Sequence, residues 1–379
     1  MSQNKNCELS VIFPTYNRPA EAAETLALLS KHIPVPYEVI ILDNSPDAYS
    51  FDLKDNEKYI FLDENMGTAS RNIGIEKARG KYILLLDDDS HPFPGSVETA
   101  LSALENSPPE VTGINGPILR PDGGRENPPL LPTAFHGCGV MFRADVLKKL
   151  NPFYPEDFCF YGEEYLSTLL FFKAGCRFDF VPEFKVCHRM SSKGREKTKI
   201  LYRLTLNNRR TWLPFVPEQY LKKTEYDTAR RYELIAKKEG VQDAFLKAMS
   251  EKINIRMYDG KMTDESFEAF SLLSDFKKLV ESGKLEKGKS IVLCGCGKFP
   301  TLWAGFLKSR GIPEVLISDF NPGLIEQTYS KYTVLCPEKM PSLAKKGFQF
   351  ICGHSARTDT EENWKPLLAK HGIKAVNLF

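Results

Sequence analysis

Tyr82-Ile83-Leu84-Leu85-Leu86-Asp87-Asp88-Asp89 decides the reading of the first half of this chain. The apolar run before the acids reads as a buried strand, far too short to cross a membrane. Three adjacent carboxylates at its end repel one another unless a cation or hydrogen-bond donors stabilise them. Hard divalent cations favour such oxygen ligands and usually share them with phosphate. A metal–diphosphate site at the carboxyl edge of an α/β sheet is the resulting expectation. The rival reading is a polar turn whose acids cap the next helix.

Strand and helix signals alternate around that run. Leu9 to Phe13 reads as a strand stopped by Pro14, residues 19–32 as a helix, and Glu38 to Leu42 as a second strand ending in the turn Asp43-Asn44-Ser45-Pro46. Tyr59 to Leu62 is a third strand and residues 67–78 a helix. This order predicts a mostly parallel sheet. Ligands bind beyond the carboxyl ends of such strands. Those ends carry Pro14-Thr15-Tyr16-Asn17, Asp43-Asn44 and Asp87-Asp88-Asp89, so three strands deliver polar groups to one edge.

Further along, Phe135 to Phe142 reads as a strand containing Gly137 and Gly139. Glu163 to Lys173 reads as a helix with acids in its first turn and Gly175 as its stop. Short strands follow near Phe178 to Val181 and at His188. Residues 190–286 are helical and charged, with a basic stretch at Lys193, Arg195, Lys197, Lys199, Arg203, Arg209 and Arg210. That stretch reads as a solvated connector or as a patch for a diphosphate, an anionic lipid or a partner. Alternation restarts at Lys289 to Cys294. Gly295-Cys296-Gly297 follows, and Asp319 ends the next strand. This mimics a dinucleotide fingerprint, but Pro300 stands where the third glycine belongs. The expected organisation is 1–215, a connector at 216–286 and a small Rossmann-like α/β module at 287–379.

The 379 residues are 42% hydrophobic and 26% charged, which is ordinary globular composition. A net charge of +2 gives no global pull toward nucleic acid. The start shows no apolar core of a signal peptide. Nine cysteines are scattered without a CxxC pair, a spacing that does not point to zinc. A cytoplasmic protein with reduced thiols is expected, with contact at the inner face of the membrane and self-association left open.

Several ordered motifs resemble the inverting family 2 glycosyltransferases of the GT-A fold, over roughly residues 8–215. They are Val11 to Arg18, Val39 to Ser45, Asn65-Met66-Gly67-Thr68-Ala69-Ser70-Arg71-Asn72-Ile73-Gly74, and Ala78 to Asp89. The resemblance implies nucleotide-sugar binding by Pro14, Thr15, Tyr16, Asn17, Asp43, Gly67, Arg71, Asp87 and Asp88. It implies an Mn²⁺ or Mg²⁺ ion held by Asp89, with Asp87 and His188 as further ligands. Glu164 matches the position of the catalytic base, with Glu163 in reserve. Leu166 and Leu170 depart from the family, which often has an acid and an arginine there. The tail resembles Rossmann-like modules appended to sugar-modifying enzymes.

The sequence therefore predicts metal-assisted, inverting sugar transfer from a nucleoside-diphosphate sugar, UDP-sugar first, to a glycan, lipid-linked or protein acceptor. Nucleotidyl transfer on a related sheet is one rival. Against it, no Gly-rich triphosphate loop follows the first strand. The other rival is a degenerate transferase acting as a binding or assembly protein.

Overall fold

The computed structural model describes residues 7–126, 129–190, 196–253 and 260–378. The chain divides into two compact units, residues 1–127 with 135–195, and residues 128–134 with 196–379.

In the first unit the strands are β1 (Leu9–Thr15), β2 (Tyr37–Asp43), β3 (Glu57–Phe61), β4 (Tyr82–Leu85), β5 (Ser90–Pro92), β6 (Val111–Asn115), β7 (Ile118–Leu119), β8 (Val140–Arg143), β9 (Arg177–Phe180) and β10 (Val186–His188). The large sheet runs β3-β2-β1-β4-β8-β6-β9. Its β3-β2-β1-β4 half is parallel, as the alternation of strand and helix signals predicts, and β8 is antiparallel to both neighbours. A small sheet runs β5-β10-β7.

The apolar runs are continuous because both sheet faces are buried. Val11, Phe13, Val39, Ile41 and Leu84 join one core cluster with Ala22, Leu26 and Leu29 of the helix Pro19–His32. Their chain neighbours Ile12, Ile40, Leu42, Ile83 and Leu85 join a second cluster with Ile75 of the helix Arg71–Lys77. This is the period-2 alternation of a strand, with a helix covering each face.

The expected strand over Phe135 to Phe142 is shorter, beginning at Val140. Residues 135–139 turn instead, and side chains approach both of their glycines closely. A Cβ on Gly139 would meet Ile118 Cδ1 at 2.6 Å, and one on Gly137 would meet Glu164 Oε1 at 3.2 Å. The expected helix at 67–78 is a 3₁₀ turn, Gly67–Ser70, followed by the α-helix Arg71–Lys77.

Among the described residues the second unit holds five helices, Lys197–Phe215, Glu218–Glu239, Gln242–Ser250, Asp264–Phe270 and Leu273–Glu281, before its sheet begins. The strands are β11 (Ile291–Cys294), β12 (Val315–Ser318), β13 (Thr328–Tyr329), β14 (Tyr332–Leu335), β15 (Gln349–Cys352) and β16 (Ala375–Asn377), in the order β13-β14-β12-β11-β15-β16. All pairs but β13–β14 are parallel.

The Gly295-Cys296-Gly297 turn after β11 is occupied by the chain itself. Cys296 N donates to Asp319 Oδ2 at 2.7 Å, and a Cβ on Gly295 would meet Ser355 Oγ at 2.3 Å. Of the basic stretch, Lys193 and Arg195 lie outside the described residues. Lys199 pairs with Glu196, Lys197 with Glu239, and Arg209 donates to the Ala248 and Glu251 carbonyls. Among the described residues no helix is long and apolar enough to cross a membrane.

The second unit also carries an acid-sensitive group. His354 is fully buried, its Nε2 lies 2.8 Å from the Gly295 carbonyl, and its ring packs on Phe276 and Trp303. Burial lowers its pKa from 6.5 to about 4. The unfolded chain therefore binds more protons between those values, and stability falls as pH drops from 6.5 to 4, by up to about 3 kcal/mol. Thermal melts should fall more steeply across that window for the native chain than for His354→Gln. Equal slopes would contradict the assignment.

Candidate active site

Register places the acids. In the parallel pair β1–β4, Ile12 lies beside Leu85, and the pairing continues with Leu86 N donating to Ile12 O. Continued by three residues, it brings Thr15 beside Asp88, and Thr15 Oγ1 donates to Asp88 Oδ2 at 2.8 Å. In the antiparallel pair β5–β10, His188 lies opposite Ser90. His188 Nε2 thereby comes within 3.2 Å of Asp89 Oδ1.

Two arginines neutralise the three carboxylates. Arg18 bridges two of them, with Nη1 2.7 Å from Asp88 Oδ1 and Nη2 2.6 Å from Asp89 Oδ2. Asp87, the most exposed of the three, meets Arg71 Nη2 at 2.5 Å. Arg71 is buried, also donates to Leu86 O, and lies over the Tyr154 ring. Burial raises the pKa of Asp88 to about 7, with Arg18 opposing the shift.

The nucleotide-side residues occupy the same edge. Tyr16 is exposed, and Asn17, at φ 54°, donates its backbone N–H to Ser45 Oγ. Pro14 pairs with Leu42 at the end of β1. Asp43 is fully buried. Its carboxylate accepts from Ser45 N and from the Tyr59 hydroxyl, at 2.8 and 2.6 Å. Gly67, at φ +57°, lies against the Cys159 carbonyl, which a Cβ would approach to 2.3 Å.

Glu163 and Glu164 open the helix Glu163–Lys173. Glu163 is buried, and its Oε2 has no hydrogen-bond partner among the described residues. Desolvation raises its pKa well above the ordinary value, and the charge of Glu164 adds to the rise. Desolvation raises Glu164 too, but helix backbone donors, His136 and Arg71 oppose it. Leu166 and Leu170 are buried in the core, which explains apolar residues where the family often has charges.

A second set of groups adjoins the acids, of which sequence reasoning singled out only His188. His188 Nδ1 contacts Glu126 Oε2 at 2.5 Å. Burial disfavours the His188 imidazolium, but Asp89, Cys138 and Glu126 outweigh it and raise the pKa. Cys138 Sγ lies 3.2 Å from His136 Nδ1. Arg189 donates its backbone N–H to Asp89 O and its guanidinium to Thr25 Oγ1. Arg18 stands inside a quoted motif, but nothing local shows that it reaches two aspartates about 70 residues away.

Residues 10–170 match the family model of glycosyl transferase family 2. This stretch of the first unit is thus similar to a family 2 glycosyltransferase domain. Relatives of this stretch include an uncharacterized glycosyltransferase of Haemophilus influenzae, 35% identical over 26% of this chain and 35% of its own length. Glycosyltransferase AglE of Haloferax volcanii is 30% identical over 31% of this chain and 41% of its own. The chain thus spans well under half of these relatives. Among solved structures, GalNAc-T7 with UDP, GalNAc and Mn²⁺ superposes with a TM-score of 0.47 at 15% identity, covering 64% of this chain and 55% of that one.

The donor set of the first unit fits a divalent cation. Asp87 and His188 offer a carboxylate oxygen and an imidazole nitrogen within 4.8 Å of each other, beside the Cys138 thiol, and Asp89 touches the same imidazole. Oxygen and imidazole ligands suit Mn²⁺, and carboxylates suit Mg²⁺.

Proposed function

We propose that this chain transfers a sugar from a nucleoside-diphosphate sugar, UDP-sugar first, to an acceptor hydroxyl, with inversion at the anomeric carbon. One observation carries the reading. In a stretch that matches the family 2 model, Arg71 pairs with Asp87 at 2.5 Å, and the charges of Glu163 and Glu164 act on that same pair. Donor-side and acceptor-side acids therefore share one locus.

Thr15, Tyr16 and Asn17 would frame the nucleotide, with the exposed Tyr16 ring against the base. Asp43 would accept a base N–H beside the Tyr59 hydroxyl, since its two oxygens offer about four acceptor sites. Pro14 and Gly67 would shape the backbone, Asp88 would face the ribose, and Arg71 would face the diphosphate. Asp89, Asp87 and His188 would hold an Mn²⁺ or Mg²⁺ ion, which when bound neutralises charge on the leaving diphosphate. Glu164 would take the acceptor's hydroxyl proton as its oxygen attacks the anomeric carbon. The bond from that carbon to the diphosphate oxygen breaks, and the nucleoside diphosphate leaves with the electron pair. The second unit would serve as scaffold or for self-association, and the acceptor would be a glycan, a lipid-linked sugar or a protein.

A panel of nucleotide sugars with Mn²⁺, scored by thermal shift, tests donor binding. The right donor at 100 times its dissociation constant should add about 2.7 kcal/mol of stability. A flat response across the panel would contradict the proposal.

A further inference from the structure

We propose that Glu126, His136 and Cys138 form a second cation site, for a borderline-soft divalent metal of the zinc class. One ligand atom from each residue lies within 4.8 Å of the other two. Cys138 Sγ stands 3.2 Å from His136 Nδ1, and the other ring nitrogen, Nε2, stands 4.0 Å from Glu126 Oε1, so an ion would take one of the two nitrogens. Tetrahedral zinc bonds put ligand atoms about 3.3–3.8 Å apart, so modest side-chain movement would close the set.

The chemistry of the donors selects the metal. Thiolate, imidazole and carboxylate together suit zinc, whereas Mn²⁺ and Mg²⁺ prefer oxygen-rich sets. The cysteine is 1% exposed, so its thiol is shielded from bulk solvent. Glu126 stands only ten residues before His136, but the spacing matches no paired zinc motif.

Glu126 joins this set to the donor side. Its Oε2 meets His188 Nδ1 while its Oε1 faces His136. On the other side, Gly137, between the two chain-adjacent donors, packs against Glu164. Three protein donors leave a fourth position for water or an acceptor oxygen next to that glutamate. The Cys138 thiol also lies within 4.8 Å of ligand atoms of Asp87 and His188, so the two sets share it, and the test must separate them.

The test uses the full chain, stripped of metal and titrated with Co²⁺ and then Zn²⁺. One equivalent of Co²⁺ should give a thiolate-to-cobalt charge-transfer band in the near ultraviolet, and Zn²⁺ should displace it. Cys138→Ser should lose the band. His136→Gln and Glu126→Gln should weaken Zn²⁺ binding about 100-fold or more, at or beyond the upper end of the loss an outer-shell partner causes. Asp89→Asn should keep the band and the Zn²⁺ affinity while losing Mn²⁺-dependent UDP binding. Far-ultraviolet circular dichroism confirms that each variant is folded.

The proposal is overturned if the native chain shows no thiolate band, or if the band survives Cys138→Ser. It is also overturned if Asp89→Asn, and not His136→Gln, removes Zn²⁺ binding, since the thiol would then serve the donor site.

Discussion

Glu164→Gln is expected to lower turnover roughly 10²-fold or more, with donor affinity nearly unchanged. Glutamine keeps the volume and the hydrogen bonds of the side chain but cannot take the acceptor's proton. Of the two acids, Glu164 is the better base. It is less enclosed than Glu163, whose buried Oε2 has no hydrogen-bond partner among the described residues. Burial of Glu163 and its acidic neighbour favour the protonated form, which cannot accept a proton.

The rise in the pKa of Glu164 has a consequence for pH dependence. A base must be ionised, so the acidic limb of kcat/KM should lie above the pH of an ordinary glutamate, and activity should fall as pH drops through it. Steady-state kinetics of both Gln variants decide the assignment. Loss in Glu163→Gln with full activity in Glu164→Gln would move the base by one residue. Full activity in both would remove this helix from the chemistry.

Asp89→Ala is expected to abolish metal-stimulated binding of a nucleoside diphosphate while the fold survives. Removing one of three adjacent carboxylates relieves repulsion and leaves Arg18 paired with Asp88. It also frees His188 Nε2 from its carboxylate while Nδ1 keeps Glu126. The loss should therefore fall on the cation and not on the core. Isothermal titration of UDP with and without Mn²⁺ measures this. An unchanged Mn²⁺-dependent affinity would exclude Asp89 as a ligand.

Much of this was legible before the structure because the strong signals are local. Val11 to Phe13 and Val39 to Leu42 are buried on both sides, so their apolar runs are unbroken, and the Asp cluster follows directly from a strand end. The helix Glu163–Lys173 announces itself through its acidic first turn. The short hairpin Thr328–Tyr329 with Tyr332–Leu335 carries too few residues for a periodic signal.

What stayed hidden depends on register between distant strands. His188 is reached only through the family resemblance; it ends a three-residue strand, and its pairing beside Ser90 is what carries it to Asp89. Glu126 and Cys138 acquire a chemical setting only when the chain folds them against His188 and His136. Gly137 reads as one residue inside a strand. Its purpose shows only when Glu164 is found against it.

The most direct test of the account follows the products of an α-linked UDP-sugar incubated with the full chain and Mn²⁺, using water as the acceptor. Early time points by proton nuclear magnetic resonance resolve both the nucleotide and the anomer. The account predicts accumulation of UDP, first appearance of the β anomer, arrest by a chelator, and loss of both products in Glu164→Gln. Release of UMP with a sugar phosphate, or first appearance of the α anomer, would contradict it.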